Sequence, residues 1–227
     1  MNPERLKGCH FPKCIVLQAV YWYLRYALSY RDIEELMQER GVDVDHATLQ
    51  RWVVKYTPMV EANFRKKKRT VGRSWRMDET YIKIKGQWYY LYRAVDKEGN
   101  TIDFLLTKKR DTKAAKRFLI KAIGSNGLPE KITIDKSGAN KAVIEEYNRE
   151  NGTSIEIRQI KYLNNIVEQD HRGIKRGTKP MLGFKSFHAA SITLSGIELV
   201  RMLKKGQFNQ QDESTLVPAK IFHSLAG

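Results

Sequence analysis

The chain has 227 residues, with 41 Lys and Arg against 25 Asp and Glu and a formal net charge of +16. Its 41% hydrophobic and 29% charged residues, with 15 Gly and 6 Pro, suffice for a buried core without disulfides and exclude disorder, collagen-like and low-complexity chains. The charge excess implies a polyanionic partner, nucleic acid ahead of an anionic membrane surface.

The first predicted element is a mostly buried helix over residues 14–28, with Gln18 and Arg25 on one face. Its apolar run, Cys14 to Leu24, falls short of the ~20 residues a membrane span needs. It is also too rich in bulky aromatics for a signal peptide. A cytoplasmic chain with no membrane partner is therefore expected. Cys9 and Cys14 lack further ligands at zinc-binding spacing and read as reduced thiols. Ser29-Tyr30-Arg31-Asp32 resembles a capping box, opening a second helix that ends near Gly41. Asp45 can cap a third helix with the stripe Leu49, Trp52, Val53 and Tyr56, stopped soon after by Pro58. Two short helices around a Gly-containing turn, behind a packing helix, give a helix-turn-helix pattern. The same pattern also suits an ordinary three-helix bundle. On the outward face, His46, Thr48, Gln50, Arg51 and Lys55 have the donors and acceptors a recognition helix uses for base edges and phosphates.

Residues 61–73, with Arg65, Lys66, Lys67, Lys68, Arg69 and Arg73, read as a basic linker that is either solvated or tracks a phosphate backbone. Strands follow at 75–84, 88–96 and 101–107, joined by hairpin-like connections. Next come a helix capped near Asp111 or Thr112, a strand over Lys131–Asp135 and a helix over 139–150. A strand at 154–160, a helix from about Ile166 to Arg176 and a long C-terminal helix through Phe187, Ala190, Leu194 and Ile197 complete the order. That last stripe reads as core or a dimer seam. Three antiparallel strands followed by strands alternating with helices is the order of a ribonuclease H-like, or integrase-core, fold. The expected architecture is α+β with α/β character: a helix-turn-helix domain over 1–60, the linker, a catalytic core over 74–185, and a C-terminal helix and tail over 186–227.

In such a sheet the first strand lies centrally with the fourth beside it. This brings Asp78 towards Asp135, at the carboxyl end of its strand, with Glu168 on the following helix as third candidate. Convergent carboxylates suit Mg²⁺, a hard cation that keeps open positions for substrate, and a metal pair can serve phosphodiester chemistry. Glu168 is preferred to Asp170, about 200° away on the helix, because Arg172 and Lys175 share its face. Asp96 and Asp103 read as hairpin surface charges, Glu79 as an edge-strand charge on the other face, and His171 as structural or superficial. Asn165 is a plausible helix cap. Six aromatics between Trp75 and Tyr92 favour hairpin packing over base stacking.

Asp78, Asp135 and Glu168, 57 and 33 residues apart, resemble the DDE triad of transposases and retroviral-type integrases, with Lys175 in the place of the accompanying basic residue. More specific are Met77-Asp78-Glu79-Thr80-Tyr81, Leu91-Tyr92-Arg93-Ala94-Val95-Asp96, Ile134-Asp135-Lys136, the stretch from Arg158 to His171, and Leu182-Gly183-Phe184-Lys185-Ser186. Together these resemble the bacterial insertion-sequence transposases of the IS-six family, the IS-twenty-six type among them, over about residues 8–206. The Glu spacing is slightly shorter than the common one. The resemblance implies Mg²⁺, with Mn²⁺ as a substitute, held by Asp78, Asp135 and Glu168. It further implies double-stranded DNA partners (terminal inverted repeats and target), cointegrate-type recombination and a homodimer or larger homo-oligomer. Arg172, Lys175 and Arg176 would position backbone phosphates. Two other classes stay open on the sequence: a non-catalytic DNA-binding regulator, and a ribonuclease H-like structure-selective nuclease.

Overall fold

The computed structural model describes residues 10–135, 138–181, 183–209 and 217–226. Cys9, Lys136 and Leu182 lie outside them. The chain divides into two compact units, Met1–Arg69 with Ile174–Gly227, and Thr70–Gly173.

The first unit is helical. Helices α1 (Lys13–Arg25), α2 (Tyr30–Gln38) and α3 (His46–Lys66) come from the start of the chain, and α7 (Phe187–Lys204) and α8 (Pro218–Ser224) from its end. Ser29 and Asp32 close a reciprocal capping box on α2, satisfying two otherwise orphaned backbone donors. The turn beyond α2 needs the positive φ of Gly41, 74°. Asp45 caps α3 by accepting from the Ala47 and Thr48 amides at 2.8 and 2.9 Å. Contrary to expectation, Pro58 does not stop α3, which runs on to Lys66. Proline removes one helical donor, but Val60 and Phe64 continue the buried stripe and are fully inaccessible. The first part of the expected linker is therefore helix.

Helix α7 packs against α1 and α3, and its stripe residues Ala190, Leu194 and Ile197 are core. At Gly196 the approach is so close that a Cβ would sit 2.5 Å from a Leu24 methyl and 2.7 Å from the Thr57 methyl.

The second unit carries a five-stranded sheet in the order β3-β2-β1-β4-β5. Its strands are β1 (Ser74–Ile84), β2 (Gln87–Asp96), β3 (Thr101–Thr107), β4 (Lys131–Thr133) and β5 (Glu156–Arg158). The first three are antiparallel neighbours, while β4 and β5 add in parallel. Helices α4 (Thr112–Asn126) and α5 (Gly138–Asn151) make the intervening crossovers. This mixed sheet has the integrase-core, ribonuclease H-like topology expected from the element order. The main core lies between one sheet face and α4 and α5, where Trp75, Met77, Tyr92, Ala94, Ile102 and Ile132 meet Phe118, Leu119, Val143 and Ile144.

Helix α6 (Lys161–Thr178) is longer than expected and contains the boundary between the two units. Asn164 and Asn165 lie inside it and do not cap it. Asn164, Val167, His171 and Ile174 are buried, at the i, i+3, i+7, i+10 spacing of one helical face, and that stripe fixes the helix's phase.

Two acids expected at the surface are instead buried. Asp96, 1% exposed, accepts from the Gly72, Glu98 and Asn100 amides at 2.8–3.1 Å. A short carboxylate beside a hairpin turn can satisfy loop donors that face inward. Asp103, equally buried, accepts a 2.8 Å hydrogen bond from the Lys121 ammonium of α4. A buried charge survives because a partner reaches it.

Candidate active site

Alternation along β1 sends Trp75, Met77 and Glu79 to the α4–α5 face and Asp78 to the other. Asp78 lies opposite Arg93 of β2, so an acid and a base share that second face at the centre of the sheet. Two polar links tie α6 to the same residues. Arg93, fully buried, donates a short hydrogen bond to Asp170, and the His171 Nδ1 lies 3.6 Å from the Asp78 carboxylate. These links and the buried stripe of α6 set where Glu168 points. It is exposed, two residues before Asp170, and its charge reaches Asp78.

Burial of Asp78 is the largest influence on its carboxyl. The Glu79 amide works against it by hydrogen bonding. Charges on Glu79, Asp135 and Glu168 add to burial, and the result pushes Asp78 up to about 7. A carboxyl with further acids in electrostatic reach resists ionisation in just this way.

Asp135 follows the β4 edge and is 44% exposed at its side chain. The Arg110 guanidinium, from the loop before α4, lies 3.8 Å from Asp135 and donates to Glu79 at 3.2 Å. Glu79 is only 4% exposed and also receives Asn140 Nδ2 at 3.4 Å. Burial alone would lower the Arg110 pKa. Glu79, with smaller help from Tyr81 and Asp135, outweighs it, so the net shift is upward. Strand alternation places Glu79 on the correct face, but it is a buried anchor of Arg110 and not the edge charge expected. Sequence reasoning misses that role, and it overlooks Arg110 among many basic residues. The face assignment of Glu79 is the only signal that points to the pair.

Among the described residues no three Asp, Glu, His or Cys groups are drawn together tightly enough to form a ready metal cage. Bare carboxylates repel one another, and Arg110 takes up part of the negative charge. The donor chemistry nevertheless suits a hard divalent cation. The set is all oxygen, and Asp78 carries a charge conflict that a cation would relieve.

Helix α3 displays the remaining predicted residues in the other unit. His46 Nδ1 is 3.0 Å from Glu34 of α2. Thr48 donates to Asp45 at 2.7 Å and accepts from Arg51 at 2.6 Å. Gln50 and Lys55 are exposed, with the Lys55 ammonium 5.2 Å from the Tyr56 ring centre. Arg172, Lys175 and Arg176 belong to α6, where Arg172 and Lys175 are exposed. No helix among the described residues is long and apolar enough to cross a membrane.

A family model described as a DDE domain matches residues 72–207, and a transposase IS66 family model matches residues 10–128. The chain is 44% identical over 207 residues to the transposase for insertion sequence-like element IS431mec of Staphylococcus aureus strain Mu50, covering 90% of both chains. The same identity and coverage hold for the transposase of element IS257 in transposon Tn4003, also from Staphylococcus aureus. Among solved structures, the HTLV-2 integrase catalytic core domain in complex with magnesium (trimeric form) is 18% identical. It covers 68% of this chain and 98% of that one at a TM-score of 0.47, a likeness too loose to carry weight beside the topology itself. On the sequence matches, the chain belongs to the DDE transposases of bacterial insertion sequences, in the IS-six family.

Proposed function

We propose that this transposase binds the terminal inverted repeats of its insertion sequence and catalyses divalent-metal-dependent DNA cleavage and strand transfer of the cointegrate type. It acts in the bacterial cytoplasm as a homodimer or larger homo-oligomer on double-stranded DNA. The observation that supports this best is the placement of Asp78. It lies on the central strand, largely buried, with Asp135 and Glu168 in electrostatic reach.

Asp78, Asp135 and Glu168 hold Mg²⁺, or Mn²⁺ in its place. When bound, the cation supplies Lewis acidity and charge neutralisation at a phosphodiester. Arg93 and Asp170 keep α6 in place, so that Glu168 is presented without its own side chain being buried. Arg110 balances Asp135 and Glu79 and limits repulsion among the acids. Water attacks first at the element end, freeing a 3′-hydroxyl. That hydroxyl then attacks a target phosphodiester in line and expels the target 3′-oxygen, so no covalent bond to the protein forms. Arg172, Lys175 and Arg176 place the backbone through phosphate contacts. The α2–α3 pair acts as a helix-turn-helix, with His46, Thr48, Gln50, Arg51 and Lys55 facing the terminal repeat.

The test is a nicking and joining assay on DNA carrying the element's end with Mg²⁺, comparing wild type with Glu168→Gln. Loss of both reactions in the variant, with end binding retained, is the expected result. Wild-type protein that binds the end and never cuts under any divalent ion would instead be a regulator. Cutting of hybrids or junctions without need of a terminal repeat, and without joining, would make it a structure-selective nuclease.

A further inference from the structure

The β1–β2 hairpin outruns its sheet. Pairing continues to Ile84 opposite Gln87, but β3 reaches only Tyr90 on one side and β4 only Arg76 on the other. Residues 81–89 thus form a two-stranded ribbon with no third strand alongside among the described residues. Lys85 and Gly86 close it with φ of 49° and 79°, the paired positive values of a tight hairpin turn whose twist matches the strands.

The two faces of this ribbon differ. Ile82 and Ile84, on one, are buried. The other carries the cross-strand pairs Tyr81–Tyr90 and Lys83–Trp88, and there Tyr81 is 50% and Trp88 59% exposed. Tyr81 meets Trp88 edge-on, with centroids 6.1 Å apart and planes at 80°, and meets Tyr90 at 5.4 Å. The Lys83 ammonium stands 5.8 Å from the Trp88 ring centre, and Lys85 is exposed at the tip. Next inward on the same face is Glu79 with Arg110, and the other carboxylate beside Arg110 is Asp135. This basic, aromatic surface therefore runs, on the sheet face opposite that of Asp78, by way of Glu79 and Arg110 to Asp135.

Exposed rings among ammonium groups suit one occupant best. Unpaired bases stack on aromatic faces without regard to sequence, and their phosphates meet the lysines. Two copies of the ribbon docked face to face would instead bring the lysines of both into one interface, with no acidic group on either ribbon to offset them. Bases inside a duplex stack have no free faces to offer. We infer that the outer β1–β2 ribbon is a stacking platform for unpaired nucleotides beside the cut site, with Trp88 and Tyr81 supplying the rings and Lys83 and Lys85 the phosphate contacts. This rests on the transposase reading of the neighbouring acids.

The test measures the affinity of the full chain, without divalent ion, for a terminal-repeat duplex ending in four unpaired nucleotides and for its fully paired counterpart. Wild type should prefer the unpaired end by roughly 5- to 150-fold, the range expected from stacking about one base. Trp88→Ala should lose that preference while binding the paired duplex normally, and Trp88→Phe should keep most of it. An unchanged preference in Trp88→Ala overturns the platform, as does an equal loss on both DNAs. A drop in oligomeric state by sedimentation with DNA preference intact would also overturn it, making the rings a contact between copies. Because no ion is present, the result is independent of cleavage. Wild type that prefers unpaired ends in a Trp88-dependent way, yet never nicks with Mg²⁺, would support the platform and remove the catalytic reading.

Discussion

Among the described residues the helical unit buries a single charged residue, Glu198, whereas the sheet unit buries Arg76, Arg93, Asp96 and Asp103 and nearly all of the Glu79 side chain. Helices α1, α3 and α7 meet through aliphatic and aromatic stripes so close that Gly196 leaves no room for a methyl group. The sheet unit has the same kind of core on its α4–α5 face, but it adds buried ion pairs on both faces, Asp103–Lys121 and Glu79–Arg110 on that one and Arg93–Asp170 on the other. The contrast shows where this chain places its cost. Apolar seams are stable and tell little about function, while buried charges are expensive unless partnered, and one of the pairs, Arg93 with Asp170, stands directly beside Asp78.

Removing one member of a buried pair should break this contrast most severely. Asp170→Ala takes away the carboxylate that fully buried Arg93 donates to, and a loss of about 3–5 kcal/mol is expected. Denaturant unfolding measures it. End cleavage should fall further than stability alone explains, since Glu168 lies on the helix that this pair holds.

Next in size is Asp78→Asn, with the opposite sign. Asp78 rises from 3.8 to about 7 on folding, so between these values the native state holds more protons than the unfolded one. The stability of the metal-free protein then falls as pH rises through that window. At pH 8 the asparagine variant should be more stable by up to about 4 kcal/mol, the gain shrinking to nothing near pH 4. Thermal melts at both pH values check this, and Mg²⁺ should raise the Tm of wild type but not of the variant.

Gly196→Ala sharpens the other half of the comparison and has the smallest expected effect. Overpacking against Leu24 and Thr57 costs about 1–3 kcal/mol, offset by about 1 kcal/mol of helix propensity. The net loss should appear in the Tm while metal-induced stabilisation of the protein is unchanged.

Elements with strong periodicity are legible in the amino-acid sequence. The Ser29 and Asp45 caps, the succession of strands and helices along the chain and the faces of Asp78 and Glu168 on their elements all follow from local pattern. Partners far apart along the chain are not legible. Asp96 and Asp103 look like surface acids until Gly72 and Lys121 are seen beside them, and Arg110 is one cation among many until Glu79 draws it in. Pro58 misleads for a related reason. Its local rule holds, but Val60 and Phe64 gain more from burial than the lost donor costs. The start of α6 is misplaced because Asn165 suits a cap by type, whereas the buried Asn164 marks the helix as already under way.

The central claim is that the acids beside Asp78 are metal ligands, and a ligand swap at Asp135 tests it most directly. Asp135→Cys, with its fold verified by circular dichroism, is assayed for end cleavage in Mg²⁺ and in Mn²⁺. A thiolate is a softer ligand that Mg²⁺ accepts poorly, so the variant should be inactive with Mg²⁺ and regain measurable cleavage with Mn²⁺. A ratio of Mn²⁺ to Mg²⁺ activity equal to that of wild type would contradict metal ligation by Asp135, and with it the account of the site.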